Sequence, residues 1–219
     1  MKTAGRYKAR GRQAEFEPGS GGRVLRNLLG IRSAREMARV ESEALIAVQE
    51  RLVDEISSNQ RLTAAAIRRM HRSWLGDIYS WAGEYRVVNI AKGGFQFAAA
   101  AQVPRLMSVL QRQYLNRYTP CHAGNAEEVA MALAVVHAEL VLIHPFREGN
   151  GRCARLVSLL MGLQAGLPPL DYGGLRGGMK RSYIAAIHAA VDGHYEPMRT
   201  IFSDVIRRTL RRHGRRGGS

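Results

Sequence analysis

Apolar side chains recur every three or four residues through most of this chain, and their periods mark out its elements. The pattern first turns helical at Val24, in the short apolar segment VLRNLLGI. In SAREMARVESEALIAVQERLVDEI, Met37, Val40, Leu45, Val48, Leu52 and Ile56 fall at helical spacing behind a capping pair, Ser33 and Glu36. LTAAAIRRMHRSWLGDIY predicts the next helix, with Thr63 as N-cap and Ile67, Met70, Trp74 and Ile78 on one face.

The period changes at Trp81. In GEYRVVNIAKGGFQFA, β-branched and aromatic residues flank Gly93-Gly94, a hairpin signal. One hairpin is marginal alone, so it is expected to lie against helices. Pro104 opens a helix through VPRLMSVLQRQYL. Asn125 and Glu128 cap AEEVAMALAVVHAELVLI, which is apolar nearly all round and so predicts the buried central helix. CARLVSLLMGLQAG follows, stopped by Gly166 and Pro168-Pro169, and RSYIAAIHAAV and EPMRTIFSDVIRRTL supply the last two helices. The expected fold class is all-α: a helical bundle with a small β-hairpin and no internal repeat.

A chain of 219 residues fits one domain with tails. Cys121 and Cys153, far apart in sequence, offer neither a disulfide framework nor metal spacing, so a reducing compartment is the default. The basic N-terminus lacks the apolar stretch of a secretory leader, and no uncharged 18-residue apolar run exists. A cytoplasmic location with no membrane partner is expected.

Charge refines the domain picture. Of the net +15, residues 1–26 carry +5 and residues 205–219 carry +6, leaving +4 between. Residues 1–22 are expected to be a disordered basic tail, 23–206 the folded domain, and 207–219 an Arg-rich tail. Such tails either hold nucleic acid or keep the protein soluble; the lack of interleaved aromatics weighs against single-strand binding.

The chemistry concentrates in HPFREGNGR, His144 to Arg152. Pro145 ends the preceding helix, placing His144 at a loop mouth as a candidate general base, with Phe146 as an inward anchor. Gly149-Asn150-Gly151 permits unusual dihedrals and runs straight into a helix whose first N–H groups form an anion site. Arg152 and Arg155 share a face and can both reach phosphate oxygens, while Glu148 suits Mg²⁺ shared with those phosphates. A zinc pair of His144 and Glu148 is disfavoured because Pro145 and Gly149 prevent a continuous helix between them. His137 is expected in the core, and no partner can be named for His188 or His194.

HPFREGNGRCAR resembles the Fic-domain motif, His-Pro-Phe-x-(Asp/Glu)-Gly-Asn-Gly-Arg-x-x-Arg, at every specified position from His144 to Arg155. GRVLRNLLGI and DIYSWAGEYRVVNIAKGGFQFA resemble the family's lead-in and flap segments, so the similarity spans roughly residues 18–205. The resemblance implies a Fic fold and transfer of AMP from ATP to a Tyr, Thr or Ser hydroxyl of a target protein. His144 would then deprotonate that hydroxyl, and Glu148 would hold Mg²⁺ between the α- and β-phosphates. Gly149, Asn150 and Gly151 would line the anion hole, Asn150 and Arg152 would fix the phosphates, and Arg155 would take the γ-phosphate. The adenine would lie near the helix around Arg181–Val191. The flap, represented by Asn89, Ile90, Lys92, Gly93, Gly94 and Phe95, would dock the target by strand addition.

Phosphorylating relatives carry Lys where this chain has Gly151, and phosphocholine-transferring ones carry Ala where it has Gly149. Both positions match the adenylylating pattern. The family's inhibitory (Ser/Thr)-x-x-x-Glu-(Gly/Asn) motif is missing: only Ser80 has a Glu four residues on, and Tyr85 follows Glu84. Inhibition is therefore expected from a small antitoxin supplying a Glu in trans, which would make this chain a toxin. A Fic-fold phosphotransferase and a nucleic-acid-binding module using the basic tails are the alternatives.

Overall fold

The computed structural model describes residue 13 and residues 15–122, 124–174 and 178–214. Helices dominate it, joined by one two-stranded hairpin, as the periodicity predicts. α1 (Ala34–Glu55) begins at Ser33, whose hydroxyl accepts from the Glu36 N–H, and α2 (Ala64–Leu75) begins at Thr63, whose hydroxyl accepts from the Ala66 N–H. These caps are local chemistry, which is why the sequence displays them.

β1 (Ala91–Lys92) and β2 (Phe95–Gln96) pair antiparallel, Lys92 opposite Phe95. Gly93 and Gly94 both have positive φ, +57° and +87°, the requirement of a type I′ turn. α3 (Val103–Val109) carries Pro104 in its first turn and continues through a π-helical stretch, Leu110–Leu115, into α4 (Asn116–Tyr118).

α5 (Ala126–Ile143) is the central helix. Asn125 caps it by accepting from the N–H groups of Glu127 and Glu128, and its residues are buried on every side. It packs mainly against α6 (Asn150–Gln164) and α8 (Glu196–Gly214), with α7 (Gly178–Ala189) bracing α8. One large core cluster runs through all of these, and Val88, Ile90 and Phe97 form a small second one under the flap.

Three expectations need correction. Residues 24–33 are not helical: Asn27 holds them as a loop, its side chain donating to the Leu25 and Ile31 carbonyls and accepting from the Leu29 and Ile31 N–H groups. The expected disordered tail is ordered over residues 15–22, because Ser20 is buried and the chain turns back to bridge Phe16 with Leu25. Residues 1–12 and 14 lie outside the described residues. The Arg-rich segment from Arg207 to Gly214 extends α8, where Arg207 pairs with Asp204 and Arg212 with Asp171; residues 215–219 lie outside the described residues. Among the described residues no helix is long and apolar enough to cross a membrane.

Candidate active site

The site is a loop spliced between two core helices. α5 stops at His144, which adopts the left-handed conformation (φ 50°, ψ 60°), a strained choice for a side chain with a Cβ. The buried guanidinium of Arg86 holds it there. Its Nε donates to the His144 carbonyl at 2.7 Å, while Nη1 and Nη2 reach the carbonyls of Val88, Ala98 and Ile143. Val88 and Ala98 flank the flap, so one side chain ties flap and reactive loop together.

The His144 imidazole is buried, and its Nδ1 lies 2.8 Å from the Val141 carbonyl. A carbonyl only accepts, so Nδ1 carries the hydrogen and Nε2 of the neutral ring is the basic nitrogen. Phe97 stacks on the same ring, 3.6 Å between centroids and 18° between planes.

Phe146 is fully buried, as its anchoring role requires, and stacks on His71 at 3.8 Å. His71 accepts the Gly83 N–H at Nδ1 and donates from Nε2 to the Glu148 carbonyl. Burial pushes its pKa down to about 4, so it stays neutral and braces the loop. Gly149 has φ +81°, and a Cβ there would meet the Trp74 ring at 2.7 Å; only glycine fits.

α6 starts at Asn150, leaving the first-turn N–H groups of Asn150, Gly151 and Arg152 without intrahelical acceptors at its positive end. Arg155, half-buried one turn on, has no carboxylate within ion-pair distance among the described residues. Arg152 lies 2.7 Å from Glu41 and 3.5 Å from Glu148, with its guanidinium over the Trp74 ring. Glu148 also accepts the Gly149 N–H.

The structure thus brings His144, Glu148, Gly149, Asn150, Gly151, Arg152 and Arg155 together along one loop and helix start. It adds contacts to three of these assignments. The Asn150 amide spans the Phe146 backbone, accepting from its N–H and donating to its carbonyl at 2.8 Å each, and so closes the loop. Arg152 is engaged by two carboxylates. In the flap, Lys92, Gly93 and Gly94 are exposed, but Ile90 is buried beneath Phe97 as its apolar support, and the Asn89 side chain accepts the Ala100 N–H.

His137 is in the core, as expected: Ser158 and Tyr183 bond its two nitrogens and burial lowers its pKa to about 3. His188 stacks face-on with Phe95 at 4.9 Å, joining α7 to the hairpin. Arg86, His71 and Glu41 escaped the sequence reasoning, as did the contact of Phe97, the last residue of the expected flap (about Asn89 to Phe97), with His144. Glu41 left a signal: four residues after Met37, it puts a carboxylate on the apolar stripe of α1.

Among the described residues no three His, Cys, Asp or Glu side chains cluster as a cation cage. A single carboxylate, Glu148, beside a helix start whose free N–H groups suit phosphate fits Mg²⁺, which keeps several waters and shares substrate phosphates.

The sequence profile of the Fic/DOC family matches residues 61–161. The protein adenylyltransferase VbhT of Bartonella schoenbuchensis is 33% identical over 132 residues, 60% of this chain but 27% of VbhT, so the chain spans about a quarter of that relative. A probable protein adenylyltransferase Fic of Salmonella typhimurium is 30% identical over 204 residues, 90% of this chain and 93% of the relative. The crystal structure of an N-terminal Fic domain of a putative cell filamentation protein from Bartonella quintana, with bound ADP, superposes with a TM-score of 0.68 at 25% identity, covering 87% and 92% of the two chains.

Proposed function

The chain belongs to the Fic/DOC family, and from that membership we propose that it is a protein adenylyltransferase that moves AMP from ATP to a hydroxyl of a target protein. The observation that carries this is the His144 ring: its Nδ1–H is fixed on Val141, its Nε2 is basic, and it stands six residues before Asn150, the start of α6, where phosphate would bind. ADP in the Bartonella quintana domain and the adenylyltransferase names of the relatives support ATP as the donor.

Each residue then has a task. Nε2 of His144 takes the proton from the target hydroxyl, whose oxygen attacks the α-phosphorus of ATP. A new P–O bond forms, the bond to the β-phosphate oxygen breaks, and pyrophosphate leaves. The first-turn N–H groups of α6 and the Arg155 guanidinium stabilise charge on the phosphates. Glu148 would hold Mg²⁺, which would supply charge neutralisation of the polyphosphate. The exposed flap tip, Lys92 to Gly94, presents backbone to an extended target segment.

Gly149 and Gly151 keep the adenylylating pattern, favouring AMP transfer over phosphoryl transfer. Arg155 lacks a carboxylate partner among the described residues, and Ser80 and Glu84 lie in turns rather than on a helix, which supports inhibition in trans by a small antitoxin. The nucleic-acid alternative has less support, because Asp171 and Asp204 line the same cleft as Arg207, Arg208, Arg211 and Arg212. Action in the cytoplasm belongs to the same proposal.

The test is a lysate incubated with this chain, Mg²⁺ and radiolabelled ATP. Label in the α-phosphate is expected to mark protein. Label transferred only from the γ-phosphate would overturn AMP transfer in favour of the kinase-like alternative.

A further inference from the structure

Phe95, Gln96 and Phe97 form the returning side of the flap, and their exposure alternates: the two phenyl rings are half-buried and Gln96 is exposed. Each phenyl meets a histidine from a different part of the chain. Phe95 stacks on His188 of α7, with 4.9 Å between centroids and 15° between planes. Phe97 stacks on His144 at 3.6 Å and 18°. The two phenyls meet edge to face at 5.2 Å and 73°. Four rings in contact thus lead from α7, through the hairpin, to the proposed base.

A hairpin of two-residue strands has little to hold itself in place. Its root is fastened by Arg86, which donates to the Ala98 carbonyl, and by Phe97 packing on Val88 and Ile90. Nearer the exposed glycine tip, the Phe95–His188 stack joins β2 to α7. We infer that His188 is a positioning residue: by holding Phe95 it clamps the hairpin to the domain, and so keeps Phe97 seated on His144 with the imidazole plane fixed. The inference rests on the proposed role of His144 as base. It gives α7 a part in the reaction through the flap, since a hairpin that lifts off His188 also uncovers the base.

The experiment is NMR of the full chain with isotope-labelled histidine, for the wild type, His188→Ala, His188→Phe and Phe97→Ala. The His144 ring-proton signal is identified by its loss in His144→Ala. In the wild type it is displaced upfield, because the imidazole lies over the face of a phenyl ring. Phe97→Ala is expected to move it downfield, and His188→Ala to move it part of the way. His188→Phe, which keeps a ring for Phe95 to stack on, is expected to restore it. The same variants are compared for the rate at which α-labelled ATP marks lysate protein. His188→Ala is expected to lower that rate about two- to tenfold, the worth of one stacked pair, and His188→Phe to restore it. Added to Phe97→Ala, His188→Ala is expected to cost nothing more, because its effect passes through that ring.

An unmoved His144 signal in His188→Ala overturns the assignment. So does a His188→Phe variant that restores neither signal nor rate, or a loss that multiplies in the double variant, which would mean that His188 acts by another route. A wild type whose His144 signal responds as expected, but which labels no protein, sinks the transfer chemistry and leaves the clamp standing.

Discussion

Phe97, at the foot of the flap, lies flat on the imidazole of His144, with ring centres 3.6 Å apart. A residue that follows the hairpin proposed to dock the target thus touches the proposed base directly. Contact with one face fixes the plane of the imidazole, and the edge bearing Nε2 is set by the Val141 bond. Replacing Phe97 with Ala is expected to lower the maximal transfer rate about three- to tenfold, the worth of an aromatic pair, with ATP affinity unchanged. Steady-state labelling of an identified target, paired with calorimetry, checks both halves.

His144→Ala removes the base and nothing from the helix start. Transfer should fall by about 10²- to 10⁴-fold while ATP binding persists. Full-rate labelling by this variant would disprove the assignment of the base. Overexpression of the wild-type chain alone should slow host growth, and that of the variant should not.

Arg86 supplies donors to four carbonyls, those of His144, Val88 and Ile143 buried and that of Ala98 part-buried. Arg86→Met leaves them without these donors, and the expected cost is about 3 kcal/mol or more. At this chain length that lowers the melting temperature by about 6–12 °C in scanning calorimetry. Activity should be lost beyond what unfolding explains, because the same bonds seat His144.

Two buried histidines predict an acid limb to stability. His71 is held at about 4 and His137 at about 3, both by burial, below the ordinary value of 6.5. The unfolded chain therefore binds more protons than the folded one below about pH 6.5, so stability falls as pH drops from there toward 4. Their ring resonances should stay in the neutral form at pH 5, as NMR would report, while melting temperature declines from pH 7 to 4.5. A melting temperature that does not fall over this range would refute the shifts.

Gly149→Ala forces a side chain into a φ of +81° against the Trp74 ring. The expected loss is about 2–5 kcal/mol in denaturant unfolding, summing backbone strain and overpacking. ATP affinity should fall with it, since the first-turn N–H groups of α6 follow immediately.

Much of this site was legible because it is contiguous. Pro145 stops a helix, Gly149 permits its conformation, and Ser33, Thr63 and Asn125 cap helices through bonds to residues two or three away. What stayed hidden acts across long separations. Nothing in GEYR marks Arg86, and only the folded chain brings it onto the carbonyl of His144, 58 residues away in sequence. His71 lies 77 residues from Glu148. The Asn150 amide finds both its partners on Phe146, only four residues back, yet nothing in the motif's spacing marks that bond in advance.

The five residues from Pro145 to Gly149 are strung between two helices that are themselves the middle of the protein. Inserting or deleting even one residue there would displace His144 from the start of α6, because both ends of the loop are fixed by buried helices. Added length is better borne at the exposed glycine tip of the flap, where extra residues disturb no core. New target preferences can be explored at the hairpin while the chemistry stays frozen by the packing beneath it.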